Sequence, residues 1–164
     1  MNDIRALTFD LDDTLWDNRS VLMTAEQTLY DWLHDKYPRI SERYSLEDMR
    51  RMRIDLIQRD PGLRNRISEL RKHTLRMAAR SVGYSERLAE PGFAIFLEAR
   101  HRITLYDDVI PALQQLRHAG FRLGSMTNGN ADVHPGAPEV CSAFDDDCDP
   151  STPEPGGVWT FLSG

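Results

Sequence analysis

Two aspartates, Asp10 and Asp12, offer the clearest chemistry in this sequence. They lie in the stretch "LTFDLDDTLWD", where a short apolar segment runs directly into four aspartates. Because side chains alternate along an extended chain, Asp10 and Asp12 are predicted to point to the same side, with Leu11 opposite. Two neighbouring carboxylates both stay ionised only if a cation shares them. The predicted cofactor is Mg²⁺, which takes few protein carboxylates and completes its shell with water and phosphate.

Phosphoryl transfer through an aspartyl-phosphate is the reaction that uses such a pair. One carboxylate would attack phosphorus, and the other would protonate the leaving alkoxide and then activate water. The phosphate oxygens would need a hydroxyl and exposed backbone N–H groups, which Thr127, Asn128 and Gly129 in "SMTNGN" could supply. The alternative is an Asp-rich turn without a catalytic role, which is common after a strand.

The elements that would position these residues are two strands. Residues 4–9 are mostly apolar, as buried parallel strands are, and residues 121–126 form a second strand candidate. Ligands of open parallel sheets collect beyond the carboxyl ends of the strands, where Asp10 and Thr127 stand. The fold class predicted is therefore α/β, with an incomplete Rossmann-like parallel sheet as its core.

The segment between these strands has the periodicity of helices. Helices are predicted from Asn18 to Pro38, from Ser45 with an approximate capping box to Asp48, and from Asp60 to Gly83. Another helix follows Ser85, with an interruption near Pro91 and Gly92, and a last one runs from the Asp107–Asp108 pair to Gly120.

This arrangement predicts a helical lobe inserted after the first strand. An ordinary crossover between parallel strands needs roughly 30 residues, far fewer than the chain contains here. The predicted organisation is an α/β core made of residues 1–16 and 105–130, a helical insertion over 17–104, and an irregular tail over 131–164.

Composition excludes several classes of protein. The 164 residues are 40% hydrophobic and 28% charged, which is typical of one globular domain. The net charge of −6 argues against general nucleic-acid binding. No apolar run is long enough to cross a bilayer, and no secretory signal is recognisable. With only Cys141 and Cys148, which match no zinc site or disulfide framework, we expect a cytoplasmic protein without a membrane partner.

The motifs resemble those of a known family, the haloacid dehalogenase (HAD) superfamily of phosphohydrolases. "DLDDT" resembles its first motif and "SMTNGN" its second. The longer string "ALTFDLDDTLWDNR", together with the helical insertion, is similar to bacterial members that act on flavin mononucleotide and on a riboflavin-pathway phosphate. The resemblance covers residues 4–131.

By this resemblance, Asp10 would be the nucleophile and Asp12 the general acid/base, whose main-chain carbonyl also binds Mg²⁺. Thr127 would bind the phosphate with help from Asn128, and the insertion would be a helical cap that selects a small phosphorylated metabolite. An acid at the position of Asp12 favours a phosphatase over a dehalogenase.

The sequence departs from the family pattern after Asn130. The family's third motif, a lysine, and its fourth, Gly-Asp, are missing, since Lys36 and Lys72 both precede Thr127. Residues 131–164 contain seven acidic residues, five prolines and no Lys or Arg. We interpret this break, near Val133, as a frameshift or truncation, or else as a genuine disordered tail.

Loss of these motifs predicts a poor catalyst, because each such electrostatic group contributes about 10² to 10³ in rate. The alternative to the phosphatase is a truncated or frameshifted fragment without catalytic activity, or a binding module.

Two other features have a functional and a structural interpretation. Lys72, Arg76 and Arg80 recur at helical spacing and could attract an anionic substrate, but a solvated helix face is favoured. Trp16 could pack against a substrate ring, but burial where the two lobes meet is favoured.

Overall fold

The computed structural model describes residues 4–64 and 66–126, together with the backbone of 160–161. The described strands form a three-stranded sheet in the order β1 (Ala6–Phe9), β2 (Arg122–Ser125) and β3 (Thr160–Phe161). Strands β1 and β2 are parallel, with Phe9 opposite Ser125, and β3 is antiparallel to β2. The α/β fold class is confirmed.

Among the described residues, five α-helices lie between β1 and a further helix, α6, which leads into β2. They are α1 (Asn18–Lys36), α2 (Pro38–Arg43), α3 (Leu46–Arg59), α4 (Ile67–Ser81) and α5 (Ala89–Arg100), and α6 spans Val109–His118. Helices α1 and α5 pack closely against each other, and α4 packs on α5. Their shared core is apolar and includes Leu33, Ile40, Leu75 and Phe96. The inserted helices therefore have a hydrophobic core of their own.

The helix ends follow the predicted signals at several positions. The Ser45 hydroxyl accepts from the Asp48 N–H at 3.1 Å, and the Asp48 carboxylate accepts from the Ser45 N–H at 2.9 Å, so the capping box is confirmed. The Ser45 hydroxyl also donates to the Asp48 carboxylate at 2.6 Å, and this bond, the one from the Ser45 N–H and the contact with Arg51 lower the pKa of Asp48 to about 2. Gly83 and Gly120 follow helices in the left-handed conformation, at φ of 76° and 88°.

Two predicted helix boundaries are wrong. Pro91 and Gly92 do not interrupt a helix but lie near the start of α5, where proline's missing N–H has no helical partner to lose. A Cβ at position 92 would lie 3.1 Å from Trp32 and 3.2 Å from Leu75, so glycine allows close helix packing there. Asp60 caps only a short 3₁₀ turn, and α4 begins later, at Ile67.

Strand β1 is less buried than its apolar sequence predicts. Ala6 and Thr8 are exposed, and Leu7 and Phe9 are half-buried. Among the described strands β1 lies at an edge of the sheet, whereas α6 packs on β2 and Leu123 is buried. An apolar strand without neighbours on both sides cannot be covered as a central parallel strand is.

Among the helices of the described ranges, none combines the length and the apolar character that crossing a bilayer requires.

Candidate active site at the edge of the sheet

The strands that precede the two predicted parts of the site, β1 and β2, end side by side. The Met126 N–H donates to the Phe9 carbonyl at 2.8 Å, just beyond the last pair of the parallel register. Asp10 therefore leaves β1 beside the point where the chain continues into Thr127. Thr127, Asn128 and Gly129 themselves lie outside the described residues.

A tight turn follows the exposed Asp10 and fixes the direction of the chain. The Leu11 carbonyl accepts from the N–H groups of Thr14 at 3.3 Å and Leu15 at 2.9 Å. Asp13 has a φ of 58°, a left-handed conformation that aspartate tolerates better than most residues. Its carboxylate accepts from the Asn18 N–H at 2.9 Å, which ties the turn to the start of α1.

Trp16 joins the beginning of the inserted helices to their end. Its side chain is buried, and its backbone forms isolated bridges with Asp12 and with Leu105. Next to it, the Tyr106 N–H donates to the Leu15 carbonyl at 3.0 Å. The burial predicted for Trp16 is confirmed, and the chain leaves and re-enters the core through adjacent segments.

Asp12 forms an ion pair that the sequence did not indicate. Nη2 of Arg100, the last residue of α5, lies 2.8 Å from Oδ1 of Asp12. The Arg100 side chain is 4% exposed and that of Asp12 is 24% exposed. The two residues are 88 positions apart in the chain, so no spacing rule could pair them. The only hint is that Arg100 continues the apolar stripe of Phe93 and Phe96.

A second unpredicted cluster lies deeper among the helices, around Glu26. Its carboxylate accepts from Arg50 at 2.7 Å, from Arg53, and from Arg71 at 3.3 Å. Burial raises the pKa of Glu26, but the three guanidinium groups outweigh it and the pKa lies below its ordinary value. Burial lowers the pKa of Arg71 to about 9, and its guanidinium lies 3.6 Å from the ring centroid of Phe96. The signal available was an acidic residue beside the inward-facing Ala25 and Leu29 of α1.

A groove connects this cluster with the turn that holds the aspartates. Its volume is about 430 Å³, within the range of small-molecule sites. Its lining combines charged and apolar side chains: Asp13, Asn18, Arg19, Leu22, Met23, Glu26 and Arg50.

The basic stripe on α4 is occupied by ion pairs within the helical region. The pairs are Lys72–Glu69 at 2.8 Å, Arg76–Glu90 at 2.9 Å and Arg80–Glu86 at 2.6 Å. Since glutamates already neutralise these side chains, the ion pairs do not favour attraction of an anionic substrate. Of the three, Arg80 is exposed, as the solvated-face interpretation requires, whereas Lys72 and Arg76 are half-buried.

The residues around Asp10 fit Mg²⁺ better than a metal held entirely by protein. Within residues 4–64 and 66–126, no three His, Cys, Asp or Glu side chains converge on one point. Mg²⁺ needs only one or two carboxylates when water and substrate phosphate complete its shell. Asp10 is exposed at the sheet edge, and the Asp12 carboxylate already contacts Arg100. Asp10 and Asp12 as metal ligands stay a prediction.

Comparison with known proteins places this geometry in a family. The family model described as haloacid dehalogenase-like hydrolase matches residues 4–153. The chain belongs to the haloacid dehalogenase-like hydrolases. The matched region extends beyond Val133, near which the sequence predicts a break in the family pattern. The irregular tail over residues 131–164 and the other domain boundaries stay predictions.

The chain is similar to two characterised kinds of hydrolase, a phosphatase and a dehalogenase. The chain is 31% identical over 132 residues, 78% of its length, to the 5-amino-6-(5-phospho-D-ribitylamino)uracil phosphatase YigB of Escherichia coli (strain K12). A solved structure, the 2-haloacid dehalogenase from Pseudomonas syringae pv. Tomato DC3000, shares 39% identity at a TM-score of 0.66 over 80% of the chain. The chain spans 55% of the first relative and 58% of the second.

Proposed function

We propose that this protein is a cytoplasmic, Mg²⁺-dependent phosphatase that hydrolyses a small phosphorylated metabolite through an aspartyl-phosphate on Asp10. The observation that carries the proposal is the hydrogen bond from the Met126 N–H to the Phe9 carbonyl, because it brings together the residues that directly precede Thr127 and Asp10 in the chain. A nucleophile and its phosphate-binding groups must lie close together for in-line attack. The similarity to a phosphatase of the same family supports the proposal.

Each residue has a chemical role in this proposal. Asp10 is exposed and attacks phosphorus, and the phosphate oxygens bind the Thr127 hydroxyl and the backbone N–H groups of Asn128 and Gly129. Asp12 donates a proton to the leaving oxygen and afterwards accepts one from the attacking water. Asp10 and the Asp12 main-chain carbonyl would hold Mg²⁺, which offsets the repulsion between an anionic nucleophile and an anionic substrate.

The groove beside Asp13 is where the non-phosphate part of the substrate would lie. Its volume of about 430 Å³ suits a small metabolite. Leu22 and Met23 offer apolar contact, while Arg19 and Arg50 offer hydrogen-bond donors. A phosphate ester with a polar, extended leaving group, such as a riboflavin-pathway phosphate or flavin mononucleotide, has this combination of properties.

Dehalogenation is a second candidate, favoured by the 39% identity with the Pseudomonas syringae protein. Asp12 distinguishes the two activities, because departure of a halide needs no proton whereas departure of an alkoxide does. Turnover of 2-chloropropionate that survives Asp12→Asn would favour the dehalogenase.

The test of the proposal is hydrolysis of p-nitrophenyl phosphate by the purified chain. We expect turnover that EDTA abolishes, that added Mg²⁺ restores and that Asp10→Asn removes. Asp55→Asn, an exposed carboxylate on α3, is the matched control and should leave turnover unchanged.

A folded chain with no metal-dependent turnover would contradict the proposal and favour the other interpretation, a fragment or binding module without catalytic activity. A cooperative thermal transition that Mg²⁺ and phosphate analogues do not shift would support that interpretation.

A further inference from the structure

We propose that Arg100 is a positioning residue through which the last inserted helix sets the orientation of the Asp12 carboxylate. The proposal rests on the proposed function for the role of Asp12 in proton transfer. It adds a residue that lies far from the sequence motifs and acts through Asp12 without contacting the substrate.

Burial is the first reason for this assignment. A guanidinium that is only 4% exposed has lost most of its water, and such a group is stable only if it is paired. Its contact with Asp12 at 2.8 Å is a charge-assisted hydrogen bond, which restricts direction as well as distance. Arg102, two residues beyond the end of α5, is 72% exposed and pairs with Glu98 on the exposed surface of α5. Of these two arginines, Arg100 is the one that contacts Asp12 in the turn.

The second reason is the location of the pair. Arg100 ends α5, and α5 packs closely on α1, so its guanidinium is supported by the core of the inserted helices. Asp12 lies in the turn fixed by Leu11, and its side chain keeps 24% exposure. One oxygen is therefore held by the helices while the carboxylate remains accessible from the sheet edge.

The Arg100–Asp12 pair makes the position of the Asp12 carboxylate, the proposed acid/base, depend on the position of α5. A shift of α5 relative to β1 would move the guanidinium and with it the carboxylate. Misplacement of a catalytic group by about 1 Å can cost about 10² in rate. Removal of the guanidinium should therefore slow the step that needs a proton from Asp12, without removing the phosphate site.

The kinetic experiment compares two substrates that differ in their leaving group. The ratio kcat/KM reports formation of the aspartyl-phosphate, in which the alcohol departs. We expect Arg100→Met to lower kcat/KM for glycerol 2-phosphate about 10²-fold. The loss should be much smaller for p-nitrophenyl phosphate, because nitrophenolate departs without a proton. Arg100→Lys, which retains the charge, should restore part of the rate, and Arg102→Ala should match the wild type.

Non-additivity is the readout that a merely structural role would not produce. If Arg100 acts through Asp12, Arg100→Met should cause no further loss in kcat/KM once Asp12→Asn is present. Equal losses for both substrates, or a full additional loss in the double variant, would overturn the proposal.

Amide hydrogen exchange tests the positioning role without any measurement of turnover. The Thr14 and Leu15 N–H groups, which bond to Leu11, should exchange faster in Arg100→Met than in the wild type or Arg102→Ala. Unchanged exchange at these amides would overturn the positioning role even if the wild type does not hydrolyse phosphate esters. If the wild type shows no turnover but the two amides exchange faster in Arg100→Met, the proposed phosphatase function would be overturned. The coupling of α5 to the turn would still be supported. If Arg100→Met does not fold, Arg100→Lys should show a smaller increase in exchange at the same two amides, and no increase would overturn the positioning role.

Discussion

Replacing Glu26 with glutamine tests how the inserted helices are held together. Glu26 is 9% exposed and is the shared partner of Arg50, Arg53 and Arg71. Glutamine keeps the shape of the side chain but removes its charge, so the three guanidinium groups lose the carboxylate that they share. Arg71 is affected most, because its side chain is 7% exposed.

The magnitude follows from burial. Removing one partner of a buried ion pair costs about 3–5 kcal/mol, because a desolvated charge is left uncompensated. We expect Glu26→Gln to lower the free energy of unfolding by about 4 kcal/mol. For a chain of this size, that corresponds to a fall in Tm of roughly 10 °C.

The assay is urea unfolding followed by circular dichroism, with Glu47→Gln as the matched control. Glu47 also contacts Arg50, at 3.5 Å, but its side chain is 65% exposed, so its loss should cost less than about 0.5 kcal/mol. A Glu26→Gln variant within about 1 kcal/mol of the wild type would refute the reasoning, as would equal effects of the two substitutions.

The pH dependence provides an independent check on the same residue. The folded-state pKa of Glu26 lies below its ordinary value of 4.5, so its ionised form stabilises the fold at neutral pH. This stabilisation should decline as the pH falls below 4.5 toward the folded-state pKa. The difference in unfolding free energy between the wild type and Glu26→Gln should shrink over that interval. A constant difference would contradict the assignment.

Two further substitutions test local features of the helices. Ser45→Ala removes the hydroxyl of the capping box and should lower the free energy of unfolding by about 1 kcal/mol, measured by urea unfolding; an unchanged midpoint would show that the cap does not contribute. Gly92→Ala should destabilise by about 1 kcal/mol despite alanine's higher helix propensity, because the new methyl group lies 3.1 Å from Trp32 and 3.2 Å from Leu75; a raised Tm would show that these side chains move aside.

Local chemistry made part of this structure predictable from the sequence. The capping box at Ser45 depends on residues three apart, and the stops at Gly83 and Gly120 depend on single residues that accept a positive φ. The sheet edge beside Asp10 was predictable because parallel strands align their carboxyl ends. These features require no knowledge of distant packing.

The remaining features depend on contacts between distant parts of the chain. Arg100 meets Asp12 only because α5 packs on α1, and Glu26 gathers arginines from α3 and α4. The helix through Pro91 was mispredicted because an interior break was assumed where the chain places a helix start. Tertiary packing decided each of these outcomes.

Two backbone contacts, the Trp16–Leu105 bridge and the Leu15–Tyr106 hydrogen bond, hold together the segments that enter and leave the inserted helices. We expect that these helices could be replaced by another set of helices joined at the same two segments. Because these two segments are already hydrogen-bonded to each other, a replacement joined to them would not need to change the positions of the strands. Such a redesign would keep Asp10 and Asp12 but remove α5, so it would have to supply a new partner for Asp12 in place of Arg100.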